Sequence, residues 1–178
     1  MRKYLDIPTE FPTELHKVKF YLDTDTFEFS LSLFEKCNLK CKFCFEDHLT
    51  KDIDLAYIHN IPNEIFARFL AESEKYTAIK NINIRIWGGE LFFDSLPDIM
   101  FNEYKLLVDE ISNKFKQYDS TLIIRYSWLT NGVFEKYDRV LDLLKYSNGT
   151  ISFSYDPIGR FSNDTQLDQM LRCYAFFK

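Results

Sequence analysis

The strongest constraint on the fold of this chain is a fourfold alternation of strand-like and helix-like segments after residue 26. Period-two alternation of apolar and polar residues predicts four strands, at 27–34, 80–87, 121–129 and 149–156. Apolar spacings of three and four predict helices at 61–76, 97–115, 137–146 and 164–178. The links are long enough for the crossovers that parallel strands require, so the sequence predicts an α/β fold with a parallel sheet.

The ends of these segments carry more specific expectations. Pro62 lies near the predicted start of the first helix, where proline is tolerated. Asp164 is the expected N-cap of the last helix. Residues 1–26 contain two prolines and no sustained period, and they are interpreted as an irregular lead-in to a single domain at 27–178.

Three of the predicted strands carry a row of polar residues on one face. The row consists of Glu28, Ser30, Ser32, Asn83, Arg85, Ser152, Ser154 and Asp156. A sheet with one face in water, as in an antiparallel meander, would explain it. The long helical links disfavour a meander, so the preferred interpretation is a curled, barrel-like sheet whose polar lumen holds a polar ligand.

Composition narrows the class of protein. The chain is 46% hydrophobic and 17% aromatic, which is typical of a folded domain and not of a disordered one. Its net charge is −5 without a basic block, so nucleic acid is disfavoured as a partner. No apolar run reaches the ~20 residues of a membrane span. The N-terminus lacks the apolar segment of a signal peptide, so a cytoplasmic location is expected.

Three of the four cysteines fall within eight residues, CNLKCKFC at 37–44, just past the first strand. Functional loops of βα barrels follow strand ends. Three thiolates can ligate three irons of a cubane cluster and leave the fourth iron open. Zinc would need a fourth ligand, for which His48 is the candidate. Three packed, unligated cysteines are also conceivable, although the interleaved lysines disfavour a core segment. Cys173 lies far away and is expected to be a packing residue.

The segment WGGEL follows the second predicted strand. Gly88 and Gly89 lack Cβ atoms, so the backbone can approach a ligand closely and adopt positive φ. Glu90 offers a carboxylate that can accept from an ammonium group. The alternatives are that the glycines only form a tight turn and that Glu90 is a solvated charge.

These motifs together resemble the radical S-adenosylmethionine superfamily. CNLKCKFCF is similar to its C-x3-C-x2-C loop, with Phe43 in the aromatic slot before the last cysteine. WGGEL, LTNG at 129–132 and SYDP at 154–157 follow successive strands in family order. SYDP is most similar to a motif of the peptide- and protein-modifying members, which are SPASM-type and sulfatase-maturase-like. Leu91 stands where the family usually has proline.

The resemblance implies a partial (β/α) barrel with about four of six βα units, so that 27–178 is a truncated core domain. It implies a 4Fe–4S cluster on Cys37, Cys41 and Cys44. It also implies S-adenosylmethionine bound by Phe43, Gly88, Gly89, Glu90, Asn131, Ser154 and Asp156. Reductive cleavage of that cofactor would give a 5′-deoxyadenosyl radical for hydrogen abstraction. No catalytic residue is assigned.

The implied partners are a flavodoxin- or ferredoxin-like electron donor, a peptide or protein substrate, and a complementing chain or homodimer that completes the barrel. The alternative is a non-catalytic interaction protein stabilised by an iron–sulfur cluster or zinc. Such a protein would be a truncated remnant, or half of a split enzyme, that kept the motifs.

Overall fold

The computed structural model describes residues 25–44, 53–73, 78–156 and 159–178. Strands and helices alternate along these ranges. In chain order they are β1 (Thr26–Ser32), α1 (Leu55–Ser73), β2 (Asn81–Trp87), α2 (Ile99–Tyr118), β3 (Ile123–Thr130), α3 (Tyr137–Ser147), β4 (Thr150–Phe153) and α4 (Asp164–Phe177).

The strands form one sheet in the order β1-β2-β3-β4, and every neighbouring pair is parallel. Ser30 lies opposite Arg85, and Arg85 lies opposite Ser127, so the polar rows of neighbouring strands share one face. The parallel pairing confirms the predicted α/β class and shows that the meander interpretation is wrong.

The other face of the sheet is apolar and carries the helices. Phe29, Ile84 and Trp128 are buried in one core with side chains from all the described helices. Trp128 is fully buried, and the fully buried Tyr104 donates its hydroxyl to Leu91 O at 3.0 Å. Burying each large apolar side chain contributes roughly 1.5–3 kcal/mol. No helix within the described ranges is long and apolar enough to cross a membrane.

The polar face of the sheet lines a cleft of about 1030 Å³. Its polar lining includes Glu28, Ser30, Asn83, Arg85, Arg125, Ser127 and Ser152. Arg125 donates to Asn81 Oδ1 at 2.7 Å, and no hydrogen bond or ion pair joins Arg85 to another described residue. Within the described ranges β1 and β4 are the edges of an open sheet. The polar lumen expected from the sequence is therefore seen as the floor of a wide cleft, without barrel closure.

Helix α1 begins earlier than predicted, at Leu55, and Pro62 lies inside it. Proline has no N–H, so the carbonyl of Ile58 lacks its usual partner within the helix. Ile58 and Pro62 are both buried in the apolar face, and this packing outweighs the local preference for proline at a helix start. Asp54 Oδ1 accepts from Tyr57 N–H at 3.1 Å, which is the contact of an N-cap residue.

Two predictions about the C-terminal segments are also corrected. The N-cap of α4 is Asn163, whose side chain accepts from Gln166 N–H at 3.0 Å, and Asp164 is the first helical residue. Strand β4 ends at Phe153, so Ser154 and Asp156 lie beyond it and not on its face. In both cases the signal fixed the type of element, whereas local hydrogen bonding fixed its end.

Candidate functional site

The loops after β1 and β2 pair with each other beyond the ends of their strands. Gly89 N–H donates to Phe34 O at 2.8 Å, and Glu90 N–H donates to Lys36 O at 2.9 Å. Because parallel strands end at the same edge of a sheet, this pairing extends the sheet into the loops. It brings the Gly-Gly-Glu segment against the start of residues 37–44, the cysteine loop.

The two adjacent glycines make this approach possible. A Cβ added to Gly89 would lie 2.2 Å from Lys36 O and 2.3 Å from Glu35 O. Real Cβ atoms do not approach backbone so closely, so no other residue fits without displacement. Neither Gly88 nor Gly89 has a positive φ, so that expectation is wrong. The close approach at Gly89 is to the chain's own backbone.

Glu90 is buried, with 1% of its surface exposed, so the interpretation as a solvated charge is wrong. Its Oε1 accepts from Thr130 Oγ1 at 2.7 Å and from Phe92 N–H at 3.0 Å. Its Oε2 accepts from Asn131 N–H at 2.7 Å. Burial raises the pKa of Glu90 to about 7, although these hydrogen bonds lower it. The carboxylate therefore ties the end of β3 to the loop after β2.

Asn131 continues this network to the first cysteine. It is 5% exposed, and its Nδ2 donates to Asn38 Oδ1 at 2.9 Å and lies 3.7 Å from Cys37 Sγ. Its Oδ1 accepts from Val133 N–H at 2.8 Å. Asn38 Nδ2 donates in turn to Val133 O at 2.6 Å. Both ends of the Asn131 amide are thus bonded to the protein, and Asn38 shares the network.

Cys37, Cys41 and Cys44 are free thiols. Burial raises the pKa of Cys37 to about 11, opposed by a hydrogen bond from Leu39 N–H, and the other two cysteines add smaller upward effects on that pKa. Burial also raises the pKa of Cys41. The three sulfurs are therefore within electrostatic reach of one another. Among the described residues, however, no three Cys, His, Asp or Glu side chains are placed to hold one metal ion.

The far part of the cysteine loop lies against residues 159–160. Lys42 N–H donates to Gly159 O at 2.9 Å, and Cys41 Sγ lies 3.7 Å from Arg160 O. The guanidinium of Arg160 lies 5.2 Å from the centre of the Phe43 ring. Phe43 is 47% exposed. This aromatic ring is therefore accessible and faces a cation.

A small apolar cluster packs beneath the cysteine loop. Leu39, Cys41, Val133 and Met170 are its buried members, with Phe161 and Leu167 partly buried against them. Gly132 has φ +76°, and a Cβ there would lie 2.9 Å from Met170 Cγ. Helix α4 thus packs directly against the loop after β3, and through it supports the cysteine loop.

The remaining predicted residues lie around this site. Ser154 is half-buried, and its N–H donates to the end of β3 at 2.8 Å. Asp156 is half-buried and lies near enough to Cys41 for its charge to add slightly to the burial that raises that pKa. Cys173 is fully buried in the main core, as expected for a packing residue. His48, the candidate zinc ligand, lies outside the described residues.

Sequence reasoning missed two residues at this site, Asn38 and Arg160. Asn38 links the cysteine loop to β3, and Arg160 covers Phe43. A polar amide between two cysteines was a signal for the first. Nothing in the sequence pattern singled out Arg160, because its partner is more than a hundred residues away.

The donor set fits an iron–sulfur group in its chemistry. Soft thiolates are the ligands that such clusters prefer, and three free thiols lie on one loop. Hydrogen-bond donors already face the sulfur of Cys37, namely Leu39 N–H at 3.4 Å and Asn131 Nδ2. Donors to sulfur are a usual feature around these clusters.

Comparison with known proteins gives a likeness in structure only. No family model matches the chain, and no curated protein matches it. The solved structures similar to it include anSMEcpe, an anaerobic sulfatase-maturating radical SAM enzyme, with bound AdoMet. The identity is 16% and the TM-score 0.54, over 85% of this chain and 41% of that chain.

Two further structures of anSMEcpe carry both AdoMet and a peptide. The structure with the Cp18Cys peptide has a TM-score of 0.52 at 15% identity, over 85% of this chain and 39% of that one. The structure with the Kp18Cys peptide has a TM-score of 0.51 at 18% identity, over 83% and 41%. The chain thus shares the fold of these proteins and spans about two fifths of their length.

Proposed function

We propose that this chain binds a 4Fe–4S cluster and S-adenosylmethionine at the carboxyl edge of its sheet and belongs to the radical enzymes that use them. The observation that carries the proposal is the joining of the three motif segments at one edge. Gly89 and Glu90 pair with the start of the cysteine loop, and Asn131 reaches Cys37. The likeness in fold to proteins solved with AdoMet supports it.

Cys37, Cys41 and Cys44 would hold the cluster. When bound, the cluster and S-adenosylmethionine would supply an electron and a 5′-deoxyadenosyl radical that abstracts hydrogen from a substrate. The chain's own part is to bind and orient. Glu90 fixes the ends of β2 and β3 relative to the loop, while exposed Phe43 and the half-buried Ser154 and Asp156 would contact the cofactor.

A peptide or protein is the proposed substrate class, and a flavodoxin- or ferredoxin-like protein the proposed electron donor. The motif SYDP and the likeness to structures that contain peptides support the substrate class. The polar cleft of about 1030 Å³ borders the site and is large enough for a peptide segment. Arg85 projects from its floor as a cation for an anionic group.

Anaerobic reconstitution with iron and sulfide tests the proposal. We expect about four irons and four sulfides per chain, measured chemically, with broad visible absorption. Alanine at Cys37, Cys41 or Cys44 should remove most of the cluster. The matched control is Cys173→Ala, which removes a thiol of the same type from the main core and should leave loading intact.

Binding of the second cofactor is tested on the reduced, loaded protein. S-adenosylmethionine should change the electron paramagnetic resonance spectrum of the cluster, and dithionite should then yield 5′-deoxyadenosine. A chain that retains one zinc and takes up no iron would overturn the proposal. That result would favour the metal-stabilised interaction protein.

A further inference from the structure

We infer that Asn131 and Asn38 form an amide bridge that positions Cys37 for cluster binding and donates a hydrogen bond to its sulfur. The inference rests on the proposed function and adds two positioning residues to it. Neither residue needs to touch the cluster or the substrate. Both act through Cys37 and through the loop that carries it.

The geometry of the bridge is unusually complete for a contact between distant segments. Asn131 Nδ2 donates to Asn38 Oδ1, and Asn38 Nδ2 donates to Val133 O. Asn131 Oδ1 accepts from Val133 N–H. These bonds close a ring across 93 residues of sequence, so the backbone next to Cys37 is fixed relative to the end of β3.

The bridge is itself held from behind by a buried carboxylate. Glu90 Oε2 accepts from Asn131 N–H at 2.7 Å, and Glu90 Oε1 accepts from Thr130 Oγ1 at 2.7 Å. A buried, fully bonded amide has few alternative rotamers, because any rotation leaves polar atoms without partners. The Nδ2 group therefore points at Cys37 Sγ before any metal arrives.

A hydrogen bond to sulfur has a measurable electronic consequence. It stabilises negative charge on the sulfur, and the reduced cluster carries more negative charge than the oxidised one. Asn131 therefore raises the reduction potential of the cluster, whereas Asn38 supports only the position of the loop. This difference separates the two roles.

The first experiment measures the reduction potential of the reconstituted full chain. Asn131→Ala should lower the ratio of reduced to oxidised cluster at a fixed potential roughly three- to tenfold, where tenfold corresponds to about 59 mV for one electron. Asn131→Asp keeps the acceptor for Val133 N–H but loses the donor, and it should shift the potential at least as far. Asn38→Ala should reduce loading with little shift. The control is Asn102→Ala, at an exposed asparagine on α2.

The second experiment uses the apo protein and needs no cluster. Alkylation by iodoacetamide, followed by mass spectrometry, gives the relative reactivity of each cysteine. Asn131→Ala and Asn38→Ala should each raise the reactivity of Cys37 relative to Cys44 at least threefold, because each cuts the bridge. Cys173 should stay protected, which shows that the core remains folded.

The outcomes separate the two proposals. A wild-type chain that takes up no cluster overturns the proposed function and with it the cluster role of the bridge. A wild-type chain that loads a cluster whose potential is the same in Asn131→Ala overturns the hydrogen bond to sulfur alone. Equal shifts in Asn131→Ala and Asn38→Ala would also overturn it, since loop displacement would then explain both. Unchanged alkylation of Cys37 in both variants overturns the positioning role.

Discussion

The cysteine loop is held on its two sides by different kinds of contact. On the Cys37 side, the loop meets buried polar atoms, and the bonds from Asn131 and Glu90 are short and directional. On the Cys41 side, it meets one backbone bond from Gly159 and the apolar surface of Met170. The first side is a polar lock, and the second is a packed support.

The difference bears on how the three thiols come together. Directional bonds between buried groups tolerate little displacement, because each broken bond costs about 1–3 kcal/mol. Apolar contacts with a flexible methionine can repack at lower cost. Cys37 is therefore fixed by the fold, whereas Cys41 and Cys44 can adjust their positions around a ligand. This explains why the three thiols are near one another without forming a ready-made set of ligands.

Gly89→Ala should produce the largest effect, because it breaks the backbone approach on which the polar side depends. Its Cβ would lie within 2.3 Å of two carbonyl oxygens, so the loops must separate. We expect the free energy of unfolding to fall by about 3 kcal/mol or more. The melting temperature should then fall by roughly 6–12 °C, at the usual 2–4 °C per kcal/mol.

The matched control for this prediction is Gly159→Ala, on the packed side of the loop. A Cβ at Gly159 would make only an ordinary contact, 3.4 Å from Lys42 Cβ, but its φ is +84°. The cost should be backbone strain of about 1–2 kcal/mol. If Gly159→Ala destabilises the protein as much as Gly89→Ala does, the two sides do not differ as described.

Glu90→Gln tests whether the polar side makes stability depend on pH. Burial raises the pKa of Glu90 from 4.5 to about 7. Between these values the folded chain binds this proton more tightly than the unfolded chain, so the free energy of unfolding falls as pH rises through this window. The loss should be on the order of 3 kcal/mol between pH 4.5 and 7.5.

Urea denaturation at a series of pH values measures this contribution. In Glu90→Gln the side chain no longer titrates, so the downward slope between pH 4.5 and 7 should be smaller than in the wild type. A slope that is identical in the two proteins would show that Glu90 does not titrate in this range. The polar side would then be held by a carboxylate that stays ionised.

The sequence predicted the repeating strands and helices and brought the correct loops to one edge. The apolar periods of β2 and α2 are strong because these elements bury a full face. It could not predict that Pro62 lies inside α1, since that depends on the packing of the whole apolar face. The role of Glu90 could not be predicted either, because its partners Thr130 and Asn131 lie forty residues away.

Residues that form long-range polar bonds are thus the ones that sequence patterns describe least well. Asn38 looks like any polar residue between two cysteines, and only its contact with Asn131 gives it a role. The cysteines themselves were recognised from spacing, yet spacing does not specify how far they converge. The proposed ligand roles of Phe43, Ser154 and Asp156 stay predictions.

Asn163→Ala should have the smallest effect, and it acts on the packed side of the loop. Asn163 caps α4 by accepting from Gln166 N–H, and α4 carries Met170 against the loop. Removing an N-cap side chain costs about 1 kcal/mol, equivalent to roughly 2–4 °C in melting temperature. Asp164→Ala, at the first helical residue, should cost only about 0.3–0.5 kcal/mol from the helix dipole.

The same pair of variants also locates the effect within the cysteine loop. Because the start of α4 supports the Cys41 side, fraying of its first turn in Asn163→Ala should raise the alkylation rate of Cys41 in the apo protein. Cys37 depends on the polar lock and should react as in the wild type. If both cysteines became equally reactive, the two sides would be mechanically coupled, and the loop would move as one body when either support weakens.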